Sequence, residues 1–593
     1  MRDAGAGHEP VVLSTDQLPE WLRRHLPETG NLTADSRIVR SGDAFFALRG
    51  ARHDGAAFIR QAVDAGAAAI VIEAARVIQS DLQMLPVPVC RVPDLKLSLG
   101  PVAADWYGQP SAELDLVAVT GTNGKTSVSH WIADGCNRLM AGERAVVVGT
   151  NGEGVPGTLR PLGMTTPDPL TVQRLFRRYL DEGIEVVALE ASSIGLEQGR
   201  LNGSVIRTAV YTNLSRDHLD YHGSMDVYGE AKRVLFAWPG LKNAVVNLDD
   251  VLAPALLTVL QDHPAVPHRI GYLIYDALDN GDGQYPGKGT GADMPPALLR
   301  ALSLADVCDE VLMAVAIEPG RWVLNLLQAP GVPLAGGEDT SADDEIDLSG
   351  VSDGDIEDFE QMQQLPTDEL QQTSVDLDLQ LIGRFNLSNA LAVAGVWRAM
   401  GWSLDEIANQ LAALKPVPGR MENILPPGAS EAERAAVPLV VVDYAHTPDA
   451  LENTLTALRE VAQQRGGRLW CIFGAGGNRD AGKRPQMAAV AERLADRVVP
   501  TSDNPRDEDP KAILEDVVAG LRGEAWLVEA DRKKAIDAVV AAASPQDVVL
   551  VAGKGREATQ EIAGVFHPFS DPDTVAQALM ARLDRDASAG RSG

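Results

Sequence analysis

The stretch "VAVTGTNGKTSVSHWIADG", residues 117–135, opens as an apolar β-branched run, turns through two glycines and continues as a helix start. A strand, a glycine turn and a helix in that order are how α/β proteins hold phosphate, because the first amides of a helix lack partners and point at the anion. The usual loop pattern, G-x-x-x-x-G-K-[ST], begins with glycine, and here Val119 stands in that place. What remains, "GTNGKTS", keeps the working parts. Gly121 and Gly124 permit the turn, Lys125 can reach phosphate oxygens, and Thr126 can ligate Mg2+. A competing match, "GGNRDAGKR", has Gly477, Gly482 and Lys483 at the right spacing, but Arg484 replaces the hydroxyl and the metal ligand is lost. The nucleotide is therefore expected at residues 121–127, the plain alternative being a tight turn that bounds a core helix.

Apolar runs on either side extend the same reading. "DAFFALRG" and "AAAIVIEAA" are short strands around the helical "AAFIRQAVDAG" in a first block, residues 1–112. "LDLVAVT", "EVVALEASS", "TAVYTNLS" and "NAVVNLDD" are strands of a mostly parallel sheet in a second block, 113–417, and sheets of this kind carry ligands at their C-terminal edges. "PLVVVDYAH", "RLWCIFGAGG", "DRVVPTSDNP" and "DVVLVAGKG", with helices such as "PQMAAVAERLADR" between them, make a third block, 418–593. The expected class is α/β, and no short-period repeat is present.

The chain has 593 residues, enough for several domains with ordinary cores, and is 45% hydrophobic and 23% charged. No apolar run approaches the ~20 residues of a membrane helix, and the N-terminus lacks a secretory pattern, so a cytoplasmic protein is expected. Cys90, Cys136, Cys308 and Cys471 lack metal or redox spacing and are expected as core thiols. A net charge of −31 argues against nucleic acid as a partner. Much of the excess lies in an acidic segment, about 335–373, expected as a disordered insertion, with a calcium site as the sharper alternative that its spacing does not support.

A magnesium ion needs further oxygen ligands near the loop. Glu190, closing "EVVALE", lies where such a carboxylate would project, although a glutamate after a strand is commonly just solvated. The next strand runs into "TNLSRDHLDYHG", which adds His218 and two aspartates. Two histidines there also suit zinc, but the neighbouring Walker-type lysine favours a hydrated hard cation.

Eight motifs now stand in order: "GTNGKTS", "EASSIGLEQGR", "TNLSRDHLDYHG" with "YGEAK", "GRFNLSN", "DYAHTPDALENTL", "GNRDAGKRP", "SDNPR" and "GKGRE". The chain resembles the Mur ligases, from "ADSRIVRSGDAFFALRG" through the third block, the acidic segment excepted. The resemblance implies three domains: an N-terminal UDP-substrate domain, a central ATPase domain of P-loop type, and a C-terminal Rossmann-like domain for the incoming amino acid. It implies ATP held by Gly121, Thr122, Asn123, Gly124, Lys125, Thr126, Ser127, Asn386, Asn389, Arg420, Asp443 and His446. It implies Mg2+ held by Thr126, Glu190, His218 and Lys232, with Lys125, Lys232 and His218 in catalytic roles. Lys232 would be carbamylated, which turns a cation into a bidentate anionic ligand; read without the motif, it is a surface helix residue. The acceptor, a UDP-muramoyl dipeptide, is implied to meet Ser36, Thr165, Thr166, Ser192, Gln198, Arg200 and Lys232. Met164, where some relatives carry Asn, and Ile194, where His is common, depart from the pattern.

In the third block the resemblance points to meso-diaminopimelate, bound by Arg479, Asp503, Asn504, Pro505, Arg506, Gly553 and Glu557. This amino acid exceeds lysine by a distal carboxylate, which calls for a guanidinium, and lysine-adding relatives lack the arginine of "DNPR". Read alone, "SDNPRDEDP" is a turn before a helix. Arg556 in "GKGRE" stands where His is commoner. The implied reaction is ATP-dependent amide formation in peptidoglycan precursor synthesis, serving cell shape and division, by a monomer acting on small molecules and not on nucleic acid or membrane. Two other classes fit the loop alone: an NTPase switch that hydrolyses ATP without an acceptor, and an inactive nucleotide-binding scaffold that recruits proteins through its acidic segment.

Overall fold

The computed structural model describes residues 10–50, 54–75, 85–263, 268–276, 308–318, 321–328, 371–379 and 381–590. The chain divides into two compact units, each assembled from three segments: 1–120, 133–209 and 231–242 in the first, and 121–132, 210–230 and 243–593 in the second.

The first unit contains a five-stranded sheet of β1 (Val11–Val12), β2 (Leu32–Thr33), β3 (Ala44–Ala47), β4 (Ala69–Glu73) and β5 (Val89–Val92), in the order β1-β5-β4-β3-β2. Every pairing is parallel. Both faces are covered: along β3, Phe45 and Ala47 enter one cluster with Ile59, Ile70 and Ile72, while Ala44 and Phe46 enter the other with Leu18, Leu22 and Leu99. This explains why the strand reads as a continuous apolar run without alternation. The same unit holds β6 (Asp115–Thr120), β7 (Ala145–Gly149), β8 (Gly152–Gly154) and β9 (Val186–Glu190). β9 lies parallel to both β6 and β7, and β8 folds back antiparallel on β7.

β10 (Thr208–Tyr211) carries the chain into the second unit, where it is followed by β11 (Asn243–Asn247), β12 (His268–Asp276), β13 (Glu310–Glu318), β14 (Arg321–Gln328) and β15 (Gln371–Leu377), neighbours in that order. β11 to β13 are parallel, and β13, β14 and β15 form an antiparallel meander. The acidic segment expected over about 335–373 lies outside the described residues as far as 370. Its last three residues, Gln371–Thr373, belong to β15 and not to an unstructured insertion, because each pairs with β14.

The third block forms β16 (Glu422–Ile424), β17 (Leu439–Asp443), β18 (Leu469–Phe473), β19 (Arg497–Pro500) and β20 (Val548–Ala552), in the order β16-β17-β20-β18-β19. β20 shows why this sheet is doubly covered. Val548, Leu550 and Ala552 face one core and Val549 and Val551 the other, all fully buried. Each such valine or leucine contributes roughly 1.5–3 kcal/mol. A hairpin, β21 (Thr559–Ile562) and β22 (Val565–Pro568), follows. The four cysteines are free and buried, as core thiols should be. Among the described residues no helix is long and apolar enough to cross a membrane.

Candidate active site

In the second unit the loop 121–124 leads into the helix Lys125–Leu139. Gly121 and Gly124 have φ of 147° and 88°, and a side chain at Gly124 would collide with the Asn389 amide. Glycine is needed at both positions, for conformation and for space. The loop is held from the next strand end: the Asn123 amide donates to Asn213 Oδ1 at 2.9 Å, and Thr212 Oγ1 donates to the Asn123 carbonyl at 2.6 Å. Lys125 Nζ donates to the carbonyls of Gly121 and Thr122 at 2.8 and 2.9 Å, so the ammonium lies folded across the loop.

Residues far along the chain reach the same loop. Arg420 donates to Thr126 Oγ1 at 3.0 Å and stacks over the Tyr444 ring at 4.3 Å, and the Asn123 side-chain amide donates to Asp449 at 2.9 Å. Asp443, at the end of β17, accepts from the amides of Met421 and Ala445 at 2.7 and 2.8 Å, which fixes the loop bearing Arg420. Asn386 donates back to the Ile382 carbonyl, and Asn386 and Asn389 are both buried at the start of the helix Arg384–Ala399.

Asp217 is the charge centre beside the loop. It lies 3.5 Å from His218 Nε2, 3.4 Å from His446 Nε2 and 3.5 Å from Lys483 Nζ. Burial pushes its pKa up, but His446, Lys483 and His218 outweigh that and hold the carboxylate well below its ordinary range. Burial drives His218 down to about 3, with His446, Lys125 and Arg479 adding to the effect against Asp217. His218 is therefore neutral near pH 7. The rejected loop match "GGNRDAGKR" has another use: Lys483 faces Asp217, and Arg484 is taken by Glu508 and Asp516.

A second group of polar residues lies where β19 and β20 end. Asn504 donates to Glu557 at 2.7 Å, and buried Lys554 donates to Asn504 Oδ1, Glu557 and the Thr559 carbonyl at 3.0, 2.9 and 2.9 Å. Arg506 donates to the Gly477 carbonyl at 2.7 Å and lies 3.4 Å from Glu561. A side chain at Gly553 would come 2.9 Å from Asp503, and one at Gly477 would strike the Pro505 carbonyl, so both glycines serve close packing. Arg479 reaches toward Asp220 at 3.9 Å.

In the first unit Glu190 is 1% exposed at the end of β9, and its carboxylate accepts from the Thr150 amide and hydroxyl at 2.9 Å each. Thr165 shares a hydrogen bond with Thr150, and Thr166 donates to the Glu190 carbonyl and bonds Ser192. Arg200 donates to the Thr166 carbonyl at 2.7 Å, to Gln198, and to the Met164 sulfur at 3.5 Å. Thr165, Thr166, Ser192, Gln198 and Arg200 thus form one network, which Met164 joins through its thioether. Ile194 lies in the short helix Ser193–Glu197. Ser36 stands apart, donating to Gln61 at 3.2 Å. Lys232, which the motif-free reading makes a surface residue, is 1% exposed, and that reading is corrected: its helix, Met225–Arg233, turns this side chain inward.

Three domain families match: "Mur ligase family, catalytic domain" over residues 28–107, "Mur ligase middle domain" over 119–272 and "Mur ligase, glutamate ligase domain" over 419–555. The UDP-N-acetylmuramoyl-L-alanyl-D-glutamate--2,6-diaminopimelate ligase of Acidovorax sp. (strain JS42) is 41% identical over 578 residues, 96% of this chain and 98% of the relative. The chain belongs to the Mur ligase family. A solved structure of a ligase of that same name is 33% identical and superimposes with a TM-score of 0.53, covering 93% of this chain and 95% of the other. A MurF ligase from Thermotoga maritima in complex with ADP shares the fold at 18% identity, with a TM-score of 0.53 over 94% of this chain and 99% of the other. The Mur ligase architecture, three domains of mixed α/β class, therefore holds for this chain.

The loop expected to hold phosphate in this Mur ligase is a glycine turn leading into a helix, and it is fixed by groups that its own motif does not contain. Thr212, Asn213 and Asp449, which bond residue 123, and Tyr444, which lies under Arg420, are commonplace residues in strand-end loops, and only folding brings them to this place. Lys554 could have been suspected from its place between Gly553 and Gly555. Among the described residues no group of three or more His, Cys, Asp or Glu has metal-holding geometry, so the zinc alternative gains no support. Of the groups that the resemblance implies for magnesium, Thr126 and His218 belong to the second unit and Glu190 and Lys232 to the first.

Proposed function

We propose that this Mur ligase joins meso-2,6-diaminopimelate to UDP-N-acetylmuramoyl-L-alanyl-D-glutamate at the expense of ATP, in the cytoplasm. The observation that carries the reading is the linkage, within one compact unit, of the phosphate loop to the third block: Arg420 meets Thr126, and Asp449 meets Asn123. The loop residues and the block that bears Asn504, Arg506 and Glu557 are thus parts of one folded body. The near-full-length identity to ligases of that name supports the choice of substrates.

The chemistry follows from the residues. The terminal phosphoryl group of ATP passes to the side-chain carboxylate of the D-glutamyl residue, breaking the bond to ADP and forming an acyl phosphate. Lys125 and the amides of residues 121–126 offset the negative charge that gathers in this step. Mg2+, held by Thr126, Glu190, His218 and carbamylated Lys232, would add charge neutralisation on the phosphates. The amine of diaminopimelate then attacks the activated carbonyl, phosphate leaves, and a proton is lost as the amide forms. Arg506 would take the distal carboxylate, and Asp503 together with Glu557, which already accepts from Asn504 and Lys554, would meet the neighbouring ammonium. Arg200, Thr165, Thr166, Ser192 and Gln198 would hold the acceptor.

The test is isotopic. Acceptor carrying heavy oxygen in its free carboxylate is turned over with ATP, Mg2+ and diaminopimelate, and one labelled oxygen is expected in the released phosphate. Unlabelled phosphate, or ATP hydrolysis that needs no acceptor, would overturn the reading in favour of a switch-type NTPase.

A further inference from the structure

Arg556, the departure in "GKGRE", is free to serve the amino-acid pocket as an extra charge only if nothing else takes its guanidinium. Glu422 takes it. Arg556 Nε donates to Glu422 Oε2 at 2.9 Å, and a second nitrogen bonds the other carboxylate oxygen, a two-point clasp. The same Glu422 accepts from the Gly419 amide at 2.7 Å. Gly419 is the residue before Arg420, and Arg420 Nη1 donates to the Gly419 carbonyl at 3.3 Å while its Nη2 meets Thr126.

Backbone packing tightens this chain of contacts. A Cβ on Gly419, whose φ is +74°, would lie 2.8 Å from the Arg556 amide nitrogen, and one on Gly555, at φ +55°, would lie 3.0 Å from the Gly419 carbonyl and 3.1 Å from Tyr444. The loop of residues 553–557 and the loop of residues 419–422 are thus in direct contact, with no room for side chains at either glycine. From the other side, Asp443 fixes the Met421 amide and Tyr444 underlies the Arg420 guanidinium.

We propose that Arg556, acting through Glu422, is a positioning residue that aims Arg420 at the hydroxyl of the phosphate loop. The inference rests on the ligase reading given above and adds to it a role for a residue outside the motif pattern. The Arg556 side chain is 50% exposed and that of Glu422 is 17% exposed, so the pair contributes little to stability. Its effect is geometric: if the clasp opens, Gly419 is freed and the guanidinium bonded to its carbonyl moves with it. Misplacement by about 1 Å near reacting groups can cost on the order of a hundredfold in rate.

The experiment is a double-mutant cycle read in kcat and in each KM, with melting temperature as a check on folding. Arg556→Ala and Glu422→Gln are each expected to lower kcat about tenfold or more, with the KM for diaminopimelate changed less than about threefold. Arg420→Ala is expected to cost more, and the double variant Arg420→Ala with Arg556→Ala no more than Arg420→Ala alone. The exchange Arg556→Glu with Glu422→Arg should recover part of kcat. If the Arg556 and Arg420 losses multiply, if Arg556→Ala and Glu422→Gln leave kcat unchanged, or if the whole loss appears as KM for diaminopimelate, the proposal is wrong. A wild-type protein inactive with these substrates would instead overturn the ligase reading.

Discussion

Lys232 and Arg506 are given the most specific roles in the proposed reaction, and each makes a prediction of its own. Lys232 is 1% exposed, and conversion of its ammonium to a carbamate would replace a cation by an anionic oxygen ligand suited to a metal. Protein incubated with carbon-13 bicarbonate is expected to show a carbamate carbon resonance that is missing in Lys232→Ala, whose kcat should fall by at least about a hundredfold. A resonance that persists in the variant would assign it to another amine. Arg506 is tied to the Gly477 carbonyl and to Glu561, which fixes its guanidinium before any ligand arrives. Arg506→Ala is expected to raise the KM for diaminopimelate by roughly 2–3 kcal/mol in equivalent binding energy while leaving that for ATP unchanged. Steady-state kinetics with each substrate varied in turn check it.

Strands and turns set a different kind of limit. In the turn after β6, Gly124→Ala would press a methyl group onto the Asn389 amide at a φ of 88°, so the variant should lose ATP affinity by more than tenfold, measured by calorimetric titration. On β13, Glu310 accepts from Arg398 at 2.7 and 2.8 Å and from Gln328 at 2.9 Å. Burial raises its pKa, but His268, Arg398 and Gln328 together bring it down to about 2 from 4.5. Because the folded value lies below the unfolded one, this stability is present above pH 4.5 and is lost as pH falls toward 2. Over that window about 3 kcal/mol should disappear, and Glu310→Gln should flatten the acid limb in denaturant melts at stepped pH.

The α/β class and the strands named in advance were legible because buried parallel strands leave unbroken apolar runs such as "VVLVA" and "VAVT". The glycine turn into a helix at residues 121–126 was legible because its signal is local: two glycines, a lysine and a threonine within six residues. What escaped reading depends on contacts far apart in sequence. Nothing around Asp449 hints that it will meet Asn123, and nothing in "GEAKR" announces that Lys232 is buried. The interleaved segments of the two units were equally invisible, since they follow from packing and not from composition. Hydrogen exchange should report this directly: a non-hydrolysable ATP analogue is expected to protect residues 121–127, 213–218, 420–422 and 446–449 together. Protection confined to 121–127 would mean that the distant contacts do not take part in binding.

The threading of one chain through both units also fixes an order of events at the ribosome. Residues 121–126 emerge early, and Arg420 follows roughly 300 residues later. At about 5–20 residues per second that gap is roughly 15 to 60 s, during which the nascent loop exists without its clasp. A polypeptide released prematurely anywhere in that interval would carry the glycine loop intact and still lack the Arg420 and Asp449 that bond Thr126 and Asn123.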